Sequence, residues 1–186
     1  MVCDLLARHH ELDVQIDVRH DLADPFETPY DVVFSMAETA LAPSNLIARR
    51  VYTLERGLFA APTLIATHGA PSEPADLRRL PLLATPADRE WRFHRPRTAG
   101  QSIAVGKPRM RSSSADIRRR AALAGLGVAR ITATYCADAV AEGQLCRVLP
   151  DWQCDTLPVY ALFTERRLMA PSVRALLDAF DRGGGP

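Results

Sequence analysis

The densest group of chemistry-bearing side chains is a run of three hydroxyls, Ser112, Ser113 and Ser114, with Arg111 before it and Arg118, Arg119 and Arg120 soon after. Serine is a strong helix N-cap, because its hydroxyl oxygen accepts from a backbone N–H two or three residues on; Ser113 or Ser114 fills that role here. Asp116 then falls in the first turn, where the positive end of the helix dipole favours a carboxylate. A helix N-terminus beside three hydroxyls suits an anion, and Arg111 and Arg130 are positioned in sequence to add charge-assisted bonds. Capping alone also accounts for the serines, so a binding role needs support from the rest of the chain.

The element that carries these residues runs from Arg109 to Thr132: a strand end, a serine turn, a helix, a Gly-x-Gly exit and a second strand. Ile117, Ala121, Ala124 and Val128 recur at helical spacing and predict one apolar stripe. Gly125 and Gly127 end the helix, and the next strand reaches Ile131 and Thr132. The Gly125-Leu126-Gly127 run is not a dinucleotide fingerprint. It leaves a helix for a strand, whereas the phosphate-binding turn leaves a strand for a helix.

Other chemistries lack residues at the required spacing. Cys3, Cys136, Cys146 and Cys154 form no close pair, and the five histidines are scattered apart from His9-His10. Adjacent helical residues diverge by about 100°, so no metal site is expected, and the cysteines read as buried small side chains. There is no G-x-S-x-G elbow, no P-loop and no base next to the serines, so no enzyme and no cofactor is expected. The formal net charge of +1 excludes a global electrostatic argument for nucleic acid or membrane. No run is long enough to cross a membrane, and the first residues lack the features of an export signal, so the expected location is cytoplasmic.

Along 186 residues with an apolar fraction of 47%, strands and helices alternate. A helix end at Asp4 to His10 precedes an alternating strand at Asp13 to Arg19, with Val14, Ile16 and Val18 on one face. Turns are expected at Asp24-Pro25 and Thr28-Pro29, a fully buried parallel strand at Asp31 to Ser35, and a loop at Pro43-Ser44-Asn45. Strands follow at 46–52, 57–60, 80–84, 91–93, 101–105, 144–149 and 157–164. Pro62 and Pro74 each open a helix, another spans Thr134 to Glu142, and Asp151 to Asp155 reads as a loop. Pro171 opens the most periodic helix, with Val173, Leu176, Leu177 and Phe180 on one face, before a flexible tail. The pattern predicts an α/β fold, in which ligands bind outside the carboxyl ends of strands.

The order of these segments resembles the effector-binding domain of LysR-type transcriptional regulators, from about Leu5 to Phe180. The resemblance is carried by Asp31-Val32-Val33-Phe34, Ser44 to Arg50, Ala60 to Leu64, His68 to Pro71, Pro74 to Leu77, Glu90 to Phe93, Ala121 to Val128, Gly143-Gln144-Leu145 and Val148 to Trp152. It implies two Rossmann-like subdomains of the type II periplasmic-binding-protein kind joined by two crossover strands. Subdomain I would combine residues 1–58 with 158–183, subdomain II would hold 59–157, and 184–186 would be a tail. It further implies a small-molecule effector in the cleft between subdomains, touched by the residues at Ser113 and Ser114, with Ile131 and Thr132 opposite; Ser112 and Ser35 complete the expected site. The chain departs from the pattern in lacking the winged helix-turn-helix and the first strand of subdomain I, so the fold is expected to be N-terminally truncated. Ser35 also stands where arginine is frequent, and Thr132 where proline is.

Taken together, these readings predict a sensor of an anionic, carboxylate-like effector that assembles as a homodimer or tetramer and meets operator DNA only through the missing N-terminal domain. A dimerisation module with a vestigial cleft and a free-standing solute-binding protein of the same fold are the alternatives.

Overall fold

A computed structural model describes residues 2–18, 30–36, 46–168 and 170–183. Arg19, the two expected turns at 24–25 and 28–29, the loop at 43–45 and the tail at 184–186 lie outside the described residues. The elements are α1 (Val2–Arg8), β1 (Val33–Met36), β2 (Ile47–Leu54), β3 (Arg56–Ala60), α2 (Pro62–His68), a 3-10 helix (Pro74–Arg79) and β4 (Leu82–Ala84). They continue with β5 (Glu90–His94), β6 (Gln101–Ala104), β7 (Met110–Arg111), α3 (Ala115–Leu123), β8 (Val128–Thr132) and α4 (Ala133–Ala141). The chain ends with β9 (Cys146–Val148), β10 (Gln153–Cys154), β11 (Leu157–Phe163), α5 (Glu165–Leu168) and α6 (Pro171–Gly183). Two compact units result, one of Met1–Leu54 with Leu157–Pro186 and one of Glu55–Thr156.

The first unit is built on a three-stranded sheet in the order β1-β11-β2, antiparallel throughout. Alternation along β11 buries Val159, Ala161 and Phe163, and α6 covers Ala161 and Phe163 with Val173 and Leu177, as its periodicity requires. Phe180 reaches the rings of Phe34 at 4.9 Å and Tyr52 at 5.9 Å. Two expectations fail here. Leu12–Val18 forms no strand and joins no sheet among the described residues, and Val14, Ile16 and Val18 are exposed. Strand β1 is antiparallel rather than parallel and only half covered, with Val33 buried while Phe34 and Met36 remain exposed. Among the described residues it is an edge strand, and its run of apolar residues reads like the interior of a sheet.

The second unit holds a five-stranded sheet in the order β7-β4-β8-β3-β9 and a smaller antiparallel sheet, β10-β5-β6. Strand β4 runs parallel to both β7 and β8, whereas β3 runs antiparallel to β8 and β9. Both faces of the large sheet are covered, which is why its strands read as continuous apolar runs. Leu58, Ala60, Leu82, Ala84 and Val128 face a core with Trp91, Phe93 and Ile103 of the small sheet. Phe59, Leu83, Ala129 and Ile131, one residue out of phase, face Ala121 and Ala122 of α3 and Cys136 and Ala139 of α4. Gly127 lets β8 enter this sheet, since a Cβ there would lie 2.6 Å from the Pro81 carbonyl oxygen.

Smaller differences from the sequence reading have local causes. Pro74 opens a 3-10 helix whose N-terminus is held by a capping box between Glu73 and Asp76. Gln153 and Cys154 form a strand, because they pair with His94 and Phe93. Asp181 to Gly183 extend α6 instead of starting a tail. Cys136 and Cys154 are buried as expected, Cys146 is half-buried and Cys3 is exposed.

Candidate anion site at the N-terminus of α3

Because β4, β7 and β8 are parallel and in register at Ala84 with Arg111 and Leu83 with Ala129, their carboxyl ends share one edge of the sheet. That edge gathers the turn Thr85 to Asp88, the loop Ser112 to Ser114 and the end of β8 at Ile131 and Thr132. It is the edge where open α/β sheets bind ligands.

Ser114 is the N-cap of α3, with extended backbone (φ −71°, ψ 120°), and its Oγ accepts from the Ile117 N–H at 3.4 Å. Ser112 donates its amide to the Ala84 carbonyl at 2.9 Å, and its Oγ accepts from the Ser114 N–H at 3.2 Å. Ser113 is exposed, and its amide and hydroxyl have no partner among the described residues. The first-turn amides of Ala115 and Asp116 are also left over, as α-helix geometry requires. The loop therefore offers three amides and a free hydroxyl beside the positive end of α3. Asp116 does not oppose an incoming anion with a bare charge, because Arg120 at 2.8 Å and the Tyr135 hydroxyl at 3.1 Å engage its carboxylate. That hydrogen bond to Asp116, with burial, pushes the Tyr135 phenol up.

The other expected residues are placed as follows. Arg111 donates from Nη1 to the carbonyls of Thr85 (2.9 Å) and Asp88 (3.0 Å), and from Nη2 to those of Val105 (3.2 Å) and Gly106 (3.1 Å). It ties two turns to the sheet edge with four N–H groups already occupied. Arg130 is buried and ion-paired with Asp88, their side chains 4% and 3% exposed, and its guanidinium lies 5.6 Å from the Trp91 ring centre. Ile131 is 2% exposed and packs with α3 and α4. Thr132 is the N-cap residue of α4, half-exposed, and caps no amide with its side chain. Ser35 belongs to the first unit, half-buried on β1 opposite Tyr160. Ser112, Ser113, Ser114, Arg111, Arg130, Ile131 and Thr132 are thus gathered by one unit, and Ser35 is on the other.

Sequence reasoning missed the charges beneath the loop. The apolar stripe predicted for α3 is rotated: Ile117 is 50% exposed and Ala124 is exposed, whereas Arg118, Ala121 and Ala122 form the buried face. Arg118 Nη1 donates to the carbonyls of both Ser112 and Ser113. Asp88, also unforeseen, accepts from the Thr85 amide at 2.8 Å while its own amide donates to Thr85 Oγ1 at 3.1 Å. Burial pushes the Asp88 carboxyl up, but the Thr85 amide and the Arg130 guanidinium pull harder, and the net is a carboxyl below its ordinary range. Burial draws the Arg118 guanidinium down, Asp88 partly restores it, and Arg130 and Arg56 press it down again. It remains a cation, as arginine does in proteins. The spacing of Arg118 from Ala121 and Ala122 was the available signal, hidden within a run of three arginines. Among the described residues no cluster of three or more His, Cys, Asp or Glu could hold a metal ion.

The chain belongs to the LysR substrate binding domain family, whose model matches residues 2–184. It is 30% identical over 178 residues to the HTH-type transcriptional regulator DmlR of Escherichia coli K12, covering 94% of this chain and 56% of that protein. It is 25% identical over 181 residues to the transcriptional activator AaeR of the same strain, covering 96% and 58%. The chain thus spans a little over half the length of these relatives. In fold it matches the regulatory domain of CrgA from Neisseria meningitidis, with a TM-score of 0.82 at 21% identity, covering 99% of this chain and 90% of that one. The regulatory domain of AphB from Vibrio vulnificus matches with a TM-score of 0.77 at 23% identity, covering 98% and 89%. The expected type II periplasmic-binding-protein-like α/β fold is the one observed.

Proposed function

We propose that this chain is the effector-sensing part of a LysR-type transcriptional regulator acting in the cytoplasm, and that it binds a small anionic molecule, a carboxylate, at the Ser112–Ser114 loop. The observation that carries this reading is the set of unpartnered donors there: the amides of Ser113, Ala115 and Asp116 and the Ser113 hydroxyl, at the N-terminus of a nine-residue helix. Thr132 supplies a further hydroxyl to the same ligand. Ile131 backs the loop from the core, while Arg111 and Arg130 hold the turns and strands in place and contribute positive potential. The family membership supports a binding domain rather than an enzyme, and the relatives named above are transcriptional regulators.

Operator binding is assigned to a helix-turn-helix region that these 186 residues do not match, and the signal is a change in the arrangement of a homodimer or tetramer. A ligand produces such a change only by binding two arrangements with different affinity. Calorimetric titration with a panel of small carboxylates tests the site. Ser113→Ala is expected to weaken binding about tenfold or more, the loss of a hydrogen bond to a charged group, and Ser114→Ala to weaken it by removing the cap that holds the free amides in place. Unchanged affinity in both variants would remove the serine loop from the site.

A further inference from the structure

Arg118 occupies a position on α3 that helical geometry assigns to the core, on the same face as Ala121 and Ala122. It is 6% exposed, yet its charge is not matched by a carboxylate of its own. The nearby carboxylate, Asp88, is ion-paired with Arg130, and Arg56 adds a third guanidinium within electrostatic reach. Arg118 therefore feels two further guanidiniums, Arg130 and Arg56, against the carboxylate of Asp88. Both hydrogen bonds of Arg118 come from Nη1 and both go to carbonyls of the serine loop, Ser112 and Ser113, while its Nε is buried without an acceptor. A buried cation left without a counter-charge is costly, and structures retain one where a ligand supplies the missing charge or where specificity requires it.

The geometry has a second consequence. By drawing the Ser112 and Ser113 carbonyls toward the protein interior, Arg118 turns the loop's negative ends inward. The free amides of Ser113, Ala115 and Asp116 are left to define the outer face. A loop with its carbonyls outward would repel an anion at the same place.

We propose that Arg118 is the residue that makes this site select a carboxylate over a neutral molecule of the same shape. It does so by holding the serine loop in its donor-outward form and by leaving a positive charge that the ligand neutralises. This rests on the Ser112–Ser114 loop being the effector site. Arg118 acts through that loop and the field beneath it, so it is a positioning residue.

The test compares carboxylates with their primary amides, using benzoate against benzamide and succinate against succinamide, by calorimetry on the whole chain. Wild type is expected to bind at least one carboxylate ten or more times more tightly than its amide. Arg118→Met fills the same buried space without charge, and is expected to reduce that ratio to near one by weakening the carboxylate while leaving the amide unchanged. Arg118→Lys keeps the charge but not the two-carbonyl fork. It is expected to retain a preference for the carboxylate with weaker overall affinity, and it serves where the methionine variant does not fold. A merely structural role would weaken both ligands together. If Arg118→Met keeps the tenfold preference, or Arg118→Lys abolishes it, the proposal fails. Loss of binding in the Ser113→Ala, Ser114→Ala double variant would show in that case that the site reading survives without it. Equal binding of acid and amide by wild type would overturn the proposal outright.

Discussion

The residues that organise the second unit are charged groups that sequence patterning treats as solvated. Arg111 meets four carbonyls, Arg118 meets two, and Asp88 with Arg130 forms a pair almost closed to water. Breaking such a pair by removing one member leaves an uncompensated buried charge. Asp88→Asn is therefore expected to destabilise the second unit by ~3–5 kcal/mol, read from urea unfolding. The pH dependence has a definite sign. The Asp88 carboxyl is lowered in the folded chain, because the Thr85 amide and Arg130 outweigh the opposing push of burial. Its contribution is then complete above the ordinary carboxylate range and is lost as pH falls through the lowered native value. Wild type should lose stability relative to Asp88→Asn on acidification. A constant difference between the two down to pH 2 would show that Asp88 contributes through shape rather than charge.

At the scale of elements, legibility followed from whether a segment's partner could be inferred from its own pattern. Helix α6 was plain, because Val173, Leu177 and Phe180 repeat at helical spacing and the sheet they cover needs no special geometry. The serine loop was legible as a cap, and Ser114 fills that place. The stretch Val14 to Val18 alternates as a strand should, but alternation states a preference for a sheet face and does not supply a neighbour. In α3 the stripe was rotated because alanines mark two adjacent faces equally well, and arginine at an inward position contradicts every default. Gly127 was read only as part of a helix exit, although its necessity is steric: a Cβ would meet the Pro81 carbonyl oxygen at 2.6 Å and the Leu83 side chain at 3.0 Å. Gly127→Ala is accordingly expected to cost ~1–3 kcal/mol, with the urea midpoint shifted and the slope unchanged. A neutral substitution would mean that β4 and β8 can separate without loss.

At the scale of the molecule, the two units differ in how the chain builds them. The second is one uninterrupted stretch, Glu55–Thr156, with buried clusters on both faces of its sheet. Its two ends are tied together, since Arg56 Nε donates to the Asp155 carbonyl at 2.7 Å. The first unit is assembled from two stretches far apart in sequence, around a cluster of Ala161, Phe163, Val173 and Leu177. A domain with a continuous chain, its own core and adjoining termini is able to fold alone, whereas one made of distant segments must also close a long loop. A fragment of residues 55–156 is expected to unfold cooperatively in urea and to keep the carboxylate-over-amide preference in weakened form, because Arg118 and the donors of the serine loop all belong to it. Residues 1–54 expressed alone are expected to show no cooperative transition. A 55–156 fragment without a cooperative transition would mean that the core of the second unit depends on the first, and the stability ascribed above to Asp88 and Gly127 would then belong to the whole chain.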